Sequence, residues 1–453
     1  MSLNRRSFIR YASLAAAGNA AGLRPFGALN GLAASAPGYK ALVCIFMYGG
    51  NDSNNTLVPF DTSANGGNGY TAYSNIRGPL ALAANTLLPL GAQASGNYGL
   101  HPSLPITQAL FNSGNLAFVN NVGTLLQPMT AAQYLAGGLP TPANLFSHPD
   151  QQLEWQNAAP SAGTTTGWAG RIADSLAATY NPGAQIPLIT SVYGDTLFCD
   201  GAASSPVAVN PGNVSTGTCW ENVGCASRLE TAQQMLTFSS GLSLVQADNT
   251  ITTNAYKYMT VLANAVQSVA PLATAFPANN TLAAQLQQIA QIIQVRAAMG
   301  VTRQIFFAGL SNFDTHGTQL AIQAGLLSQL DAAMGAFYQA TQELNLANQI
   351  TTFTMSDFSR TMQPNSASGS DHGWGGHLMV MGGAVNGGQI YGTYPTLALG
   401  GPNDSGLNGR WVPTIASSQY AATLAAWFGV PAASLNSIFP TLSSFSTTNL
   451  GFV

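Results

Sequence analysis

Three apolar runs in this chain each end in a turn that carries an aspartate. Ala41 to Tyr48 leads into Gly49-Gly50-Asn51-Asp52. Ile305 to Leu310 leads into Ser311-Asn312-Phe313-Asp314-Thr315-His316. The β-branched and apolar run Ile350 to Met355 leads into Ser356-Asp357-Phe358-Ser359-Arg360. Runs without polar alternation read as strands buried on both faces, the pattern of a parallel sheet. Helical periodicity fills much of the space between them, from Ser227 to Gly300 and from Leu320 to Leu344. Strands alternating with helices predict an α/β fold: a doubly wound, mostly parallel sheet flanked by helices. In such sheets ligands bind outside the carboxyl ends of the strands, which is where all three aspartates fall.

The histidines concentrate in the same region. Of five in the chain, His316, His372 and His377 lie between Ser311 and His377, the last two in Asp371-His372-Gly373-Trp374-Gly375-Gly376-His377. Carboxylates that converge from distant strands repel one another unless a cation neutralises them. Carboxylate with imidazole is the donor set of zinc and manganese sites. Asp52, Asp314, His316, Asp357, Asp371, His372 and His377 are therefore the candidate metal ligands, for one or two divalent ions. Each aspartate taken alone also reads as an ordinary turn or cap residue. His101 reads as a capping or packing histidine.

A fourth feature lies at Ser147-His148-Pro149-Asp150, which opens a helix-like run. Ser147 or His148 reads as its cap, with Pro in the first turn. The hydroxyl of Ser147 at a positive helix end also suits an attacking alkoxide or a bound phosphate. Ser147 is accordingly the candidate nucleophile, and Arg171 and Arg360 are candidate clamps for the oxygens of a transferred group.

Charged residues make up only 6% of the 453 residues, against about 25% in an average domain. Lysine occurs only at Lys40 and Lys257, so no clustered basic surface exists for nucleic acid. The surface is instead built from Ser, Thr, Asn, Gln and Gly, which fits an exported protein. Asn4-Arg5-Arg6-Ser7-Phe8-Ile9-Arg10, a mild apolar run and Ala34-Ser35-Ala36 predict a twin-arginine signal over residues 1–36. That run is too short and too polar for a transmembrane anchor. Residues 37–453 are expected to form one domain, with 227–300 as a helical lobe. In an oxidising compartment Cys199 is expected to bridge Cys219 or Cys225, and Cys44 to be a buried thiol.

These motifs together resemble a family. Gly49-Gly50-Asn51-Asp52, Ser147-His148, Gly167-Trp168-Ala169-Gly170-Arg171, Phe313-Asp314-Thr315-His316, Ser356-Asp357-Phe358-Ser359-Arg360-Thr361, Asp371-His372-Gly373 and Gly387-Gly388 are similar to those of domain-of-unknown-function family 1501. That family is grouped with the alkaline-phosphatase-like superfamily, and the resemblance covers nearly the whole mature chain. It implies a metal-ligating Asp52, a nucleophile at Ser147, a ligand pair at Asp314 and His316, and a late ligand at Asp357 with His372 or His377. Asp357-Phe358 stands where much of the superfamily has Asp-His, so one imidazole must come from elsewhere, His372 or His148. The Asp314-His316 spacing is also shorter than usual. A sulfatase signature at Ser147 is matched poorly, because Gln151 replaces its arginine.

Two functions follow as expectations. One is an exported hydrolase of phosphate or sulfate esters, on a small-molecule or polysaccharide substrate, with zinc or manganese. The other is a non-catalytic cell-envelope protein that keeps the fold and binds a polysaccharide or a partner.

Overall fold

The structure is a computed structural model that describes residues 38–60, 69–91, 97–159, 165–211, 225–239 and 241–453. The signal expected over 1–36 and Cys219 lie outside them. The described strands are β1 (Lys40–Met47), β2 (Leu57–Pro59), β3 (Leu88–Pro89), β4 (Tyr98–Leu100), β5 (Leu116–Gly123), β6 (Ile189–Ser191), β7 (Val207–Ala208), β8 (Arg303–Leu310), β9 (Ile350–Ser356), β10 (Gly376–Met381), β11 (Ile390–Tyr391) and β12 (Ile415–Ala416). Nine form one sheet in the order β11-β5-β10-β9-β1-β8-β6-β7, with β12 beside β5; β2, β4 and β3 form a small second sheet. β1 runs parallel to both neighbours, with Ala41 opposite Gln304 on one side and Ile350 on the other. β6 pairs parallel with β8 and with β7. This is the expected doubly wound α/β sheet.

β1 shows why these strands carry no polar alternation. Its Ala41, Val43, Ile45 and Met47 enter one core, with Leu286 and Ile293 of the helix Thr281–Gln294 and Leu327 of the helix Gln319–Glu343. Leu42, Cys44 and Phe46 enter a second core on the opposite face, with Ile172 of the helix Trp168–Tyr180 and Leu424 of the helix Ser417–Phe428. A polar residue on either face would lose water without gaining a partner, at about 1–3 kcal/mol each.

β10 is antiparallel to both β9 and β5. Its amino end therefore lies on the edge where the parallel strands present their carboxyl ends. The loop from Asp357 to Gly375 starts and finishes on that edge, which brings Asp371 and His372 back towards Asp357.

One reading of the sequence changes. The helical stretch 227–300 is not uniform: Thr281–Gln294 is a sheet-covering helix with its apolar face in the main core. Among the described residues of that stretch, the helices before it are Cys225–Leu236 and Ser243–Gln267. Cys44 and Cys199 are buried thiols, each free among the described residues; Cys219 and the side chain of Cys225, the expected partners of Cys199, lie outside them. The C-terminal segment adds Phe439, Leu442 and Phe452 to the second core. Among the described residues, no helix is long and apolar enough to cross a membrane.

Candidate metal centre

The loops after β1, β8 and β9 are packed on one another through their glycines. Gly49 has φ +111°, and a Cβ there would sit 2.4 Å from Asp314 N; a Cβ on Gly50 would meet the Phe358 ring at 2.6 Å. Side chains are excluded, so the Asp314 and Asp357 loops close against the end of β1. The Gly49 amide then donates to Asp357 Oδ1 at 3.1 Å.

Asp314 lies at the centre of the cluster. His148 Nε2 is 3.4 Å from its Oδ2, and His316 Nε2 and His372 Nε2 are 3.0 and 3.4 Å from its Oδ1. His316 Nε2 and His372 Nε2 are 2.9 Å apart. His148, Asp314 and His372 offer ligand atoms that all lie within 4.8 Å of one another. Ligand atoms about 2.0–2.2 Å from a tetrahedral zinc lie roughly 3.3–3.6 Å from each other, close to these separations.

The other ring nitrogens fix the tautomers. His372 Nδ1 is 2.7 Å from Phe146 O, which can only accept, so the proton is on Nδ1. His148 Nδ1 is 2.7 Å from Asp357 Oδ2, and the same carboxylate takes a bond from Gln152 Nε2 at 2.8 Å. His316 Nδ1 is 3.1 Å from Asp371 Oδ1. Each imidazole thus donates outward and turns an Nε2 lone pair inward, the tautomer a metal ligand needs. His148 Nε2 is shielded from solvent and makes no hydrogen bond. Lone pairs of His316 and His372 facing each other at 2.9 Å require a cation between or beside them, a proton or a metal. The residues present therefore fit a divalent ion.

The electrostatics agree. Burial pushes the Asp314 carboxyl up, but the hydrogen bond and charge of Arg360, with His316 and His148, hold it below its ordinary value. Arg360 donates from Nη1 to Asp314 Oδ1 at 2.8 Å and from Nη2 to Ser370 O at 2.6 Å. Burial lowers the His372 pKa below its ordinary value. The hydrogen bond to Asp357 raises that of His148 against the opposing effect of burial. Asp314, His316 and Asp371 are each nearly half exposed, at 44%, 46% and 48% of their side-chain surface, so the cluster opens to solvent.

The predicted site residues divide. Asp314, His316, Asp357, Asp371, His372 and Arg360 come together, with Asp357 and Asp371 behind the histidines. Asp52 does not join them: its carboxylate is fully buried against Arg77 and also takes bonds from Gln319 Nε2 and Asn54 N. Arg77 adds bonds to the carbonyls of Thr361 and Met362, so a resident guanidinium neutralises Asp52. His377 is buried, accepts from Asn121 N through Nδ1 and stacks on Tyr394. Arg171 spends its guanidinium on the carbonyls of Ile438, Thr166 and Asn157, none of which belongs to the cluster. Ser147 precedes the helix His148–Asn157 without capping it; its Oγ donates to Asp150 Oδ2 at 2.5 Å.

His148, left open in the sequence between a cap and the imidazole that Phe358 displaces, joins the cluster; two participants were missed. The Phe358 ring is a wall of the site, 4.6 Å from the His372 ring and 4.9 Å from His148. Arg410 holds the His372 carbonyl through Nε at 2.8 Å and lies over the Phe146 ring, with no sequence signal for either contact.

A family model described as a protein of unknown function, DUF1501, matches residues 39–404. No curated protein matches the chain in sequence. Solved structures similar to it include Ps i-CgsB, at 9% identity and TM-score 0.36 over 91% of this chain and 75% of that one. PsFucS1 sulfatase from Pseudoalteromonas sp. is 10% identical, with TM-score 0.36 over 100% and 78%. A protein in the alkaline phosphatase superfamily from Vibrio parahaemolyticus is 9% identical, with TM-score 0.30 over 95% and 76%.

Proposed function

The chain belongs to the DUF1501 family of proteins of unknown function, and we propose that it is an exported metal-dependent hydrolase of phosphate or sulfate esters. The observation that carries this reading is the convergence of three imidazole Nε2 atoms on the Asp314 carboxylate, each with its Nδ1 proton already committed to an acceptor. His148, Asp314 and His372 would hold one divalent ion, zinc or manganese, with His316 beside them to complete its shell. Asp52 takes no part, because binding there would displace Arg77 from a buried ion pair.

When bound, the ion polarises a phosphoryl or sulfuryl oxygen and offsets the charge that develops on it. Asp357 and Asp371 orient the imidazoles and Arg360 holds Asp314 in place. Ser147 Oγ attacks the phosphorus or sulfur while Asp150, already hydrogen-bonded to it, takes the proton. The bond to the alcohol oxygen breaks, the alcohol leaves with a proton from water, and a second water frees the serine. Export rests on the twin-arginine pattern at Arg5-Arg6.

The test is elemental analysis of the mature protein and of His372→Ala, followed by a phosphoester and sulfoester panel with Ser147→Ala as control. Near one zinc or manganese per chain, lost in the variant, with ester turnover lost in Ser147→Ala, is the expected result. No bound metal sinks the reading. Metal without turnover of any ester favours the non-catalytic envelope protein instead.

A further inference from the structure

Two tyrosines stand on the same sheet edge as the metal centre. Across the central strands the edge presents Asp357 after β9, Tyr48 after β1, Ser311 and Asp314 after β8, and Tyr193 after β6. The Tyr48 and Tyr193 rings stack at 5.1 Å and 16°. Tyr193 is 37% exposed, and Tyr48 is partly exposed. Both rings also rest on the second core, Tyr48 against Phe46 at 4.4 Å and Tyr193 edge-on to Phe307 at 6.4 Å.

The ring is held in place. Its hydroxyl is 2.5 Å from Ser311 Oγ, three residues before Asp314. A Cβ on Gly309 would lie 2.8 Å from the ring, so a glycine in β8 makes room for it. Ser191 Oγ bonds Gly194 O and fixes the turn that carries it. Tyr48 is tied to the Asp314 loop through Tyr48 N to Leu310 O and Phe313 N to Tyr48 O. Tyr193 clamped in this way keeps part of its apolar ring and its polar rim exposed and loses little freedom on binding.

We infer that Tyr193, backed by Tyr48, is a subsite for a sugar ring, and that the ester hydrolysed at the metal centre is carried on a glycan. The C–H face of a pyranose is weakly positive and apolar and matches the negative face of an aromatic ring. Its hydroxyls suit the Ser311 hydroxyl beside the ring and the exposed Asn312 that follows it. The centre itself, nearly half exposed at Asp314, His316 and Asp371, admits a chain too large for a closed pocket. This inference takes its reaction from the hydrolase reading, but sugar binding at Tyr193 can be read without the metal.

The experiment is affinity electrophoresis of the full chain, with chelator present throughout, in gels cast with dextran, xylan, laminarin, a galactan and the sulfated form of each. Wild type is expected to be retarded by at least one glycan. Tyr193→Phe should keep most of that retardation, and Tyr193→Leu, which keeps apolar volume but removes the ring, should weaken it about tenfold. Tyr193→Ala should behave like Tyr193→Leu. His316→Ala should be retarded like wild type, which separates this subsite from the metal centre. No retardation of wild type by any of these glycans, or equal retardation of folded Tyr193→Leu, overturns the proposal. Metal loss with glycan binding intact would instead strike the hydrolase reading alone.

Discussion

Asp357→Asn isolates the feature that makes the histidine cluster a metal site. The wild-type carboxylate accepts from His148 Nδ1 at 2.7 Å, Gln152 Nε2 at 2.8 Å and Gly49 N at 3.1 Å. All three partners are donors, so a carboxylate satisfies them and an amide cannot. If the new amide nitrogen faces His148, the ring must move its proton to Nε2 and lose the lone pair that faces Asp314. If it faces Gly49 instead, that amide is left unpaired in a half-buried turn. The Phe358 ring, 4.9 Å from His148, still limits rotation. The expected loss is thus that of a ligand's supporting hydrogen bond, roughly 10- to 100-fold in metal affinity, or about 1.4–2.7 kcal/mol. The assay is zinc competition against a chromophoric chelator on metal-free protein, with Asp52→Asn as control because that carboxylate is committed to Arg77. Asp357→Asn within twofold of wild type would refute the idea that His148 is tuned as a ligand.

Arg77→Met leaves the Asp52 carboxylate buried without its partner, and urea unfolding should show a loss of about 3–5 kcal/mol; a loss under 1 kcal/mol would mean the pair is not what neutralises Asp52. Acid should destabilise the metal-free fold through His101 and His377. Burial lowers their pKa values to about 4 and about 3, the Asp52 charge opposing the shift at His101. The unfolded chain then binds more protons than the folded one below about pH 6.5, so stability is full above that pH and declines as pH falls towards 3–4. The expected loss at pH 5 relative to pH 8 is about 2 kcal/mol for each, with the raised His148 opposing part of it; urea midpoints that do not move over this range would contradict it. Ser147→Ala should keep the metal content of wild type while turnover of any accepted ester falls at least a hundredfold; full turnover would remove Ser147 as the nucleophile.

The unbroken apolarity of Ala41 to Met47, with the apolar run before Asp314 and the β-branched and apolar run before Asp357, was enough to place a parallel sheet, because strands covered on both faces carry no polar alternation. The end of each strand was equally legible, and so were Asp314, His316, Asp357, Asp371 and His372 as one group. The lobe boundary was not, because the apolar face of Thr281–Gln294 has the same spacing whether it covers the sheet or an insertion. Asp52 and His377 show where sequence gives out. Asp52 sits at a strand end as Asp314 does, but Arg77, from 25 residues on, reaches back to neutralise it. His377 is five residues past His372, but at the start of the antiparallel β10 its ring turns inward against Tyr394. Sequence determines which groups stand on the edge, since strand ends are set by local patterns. Which of them face a cation, a guanidinium or the core depends on packing between distant loops, and only the tertiary structure decides it.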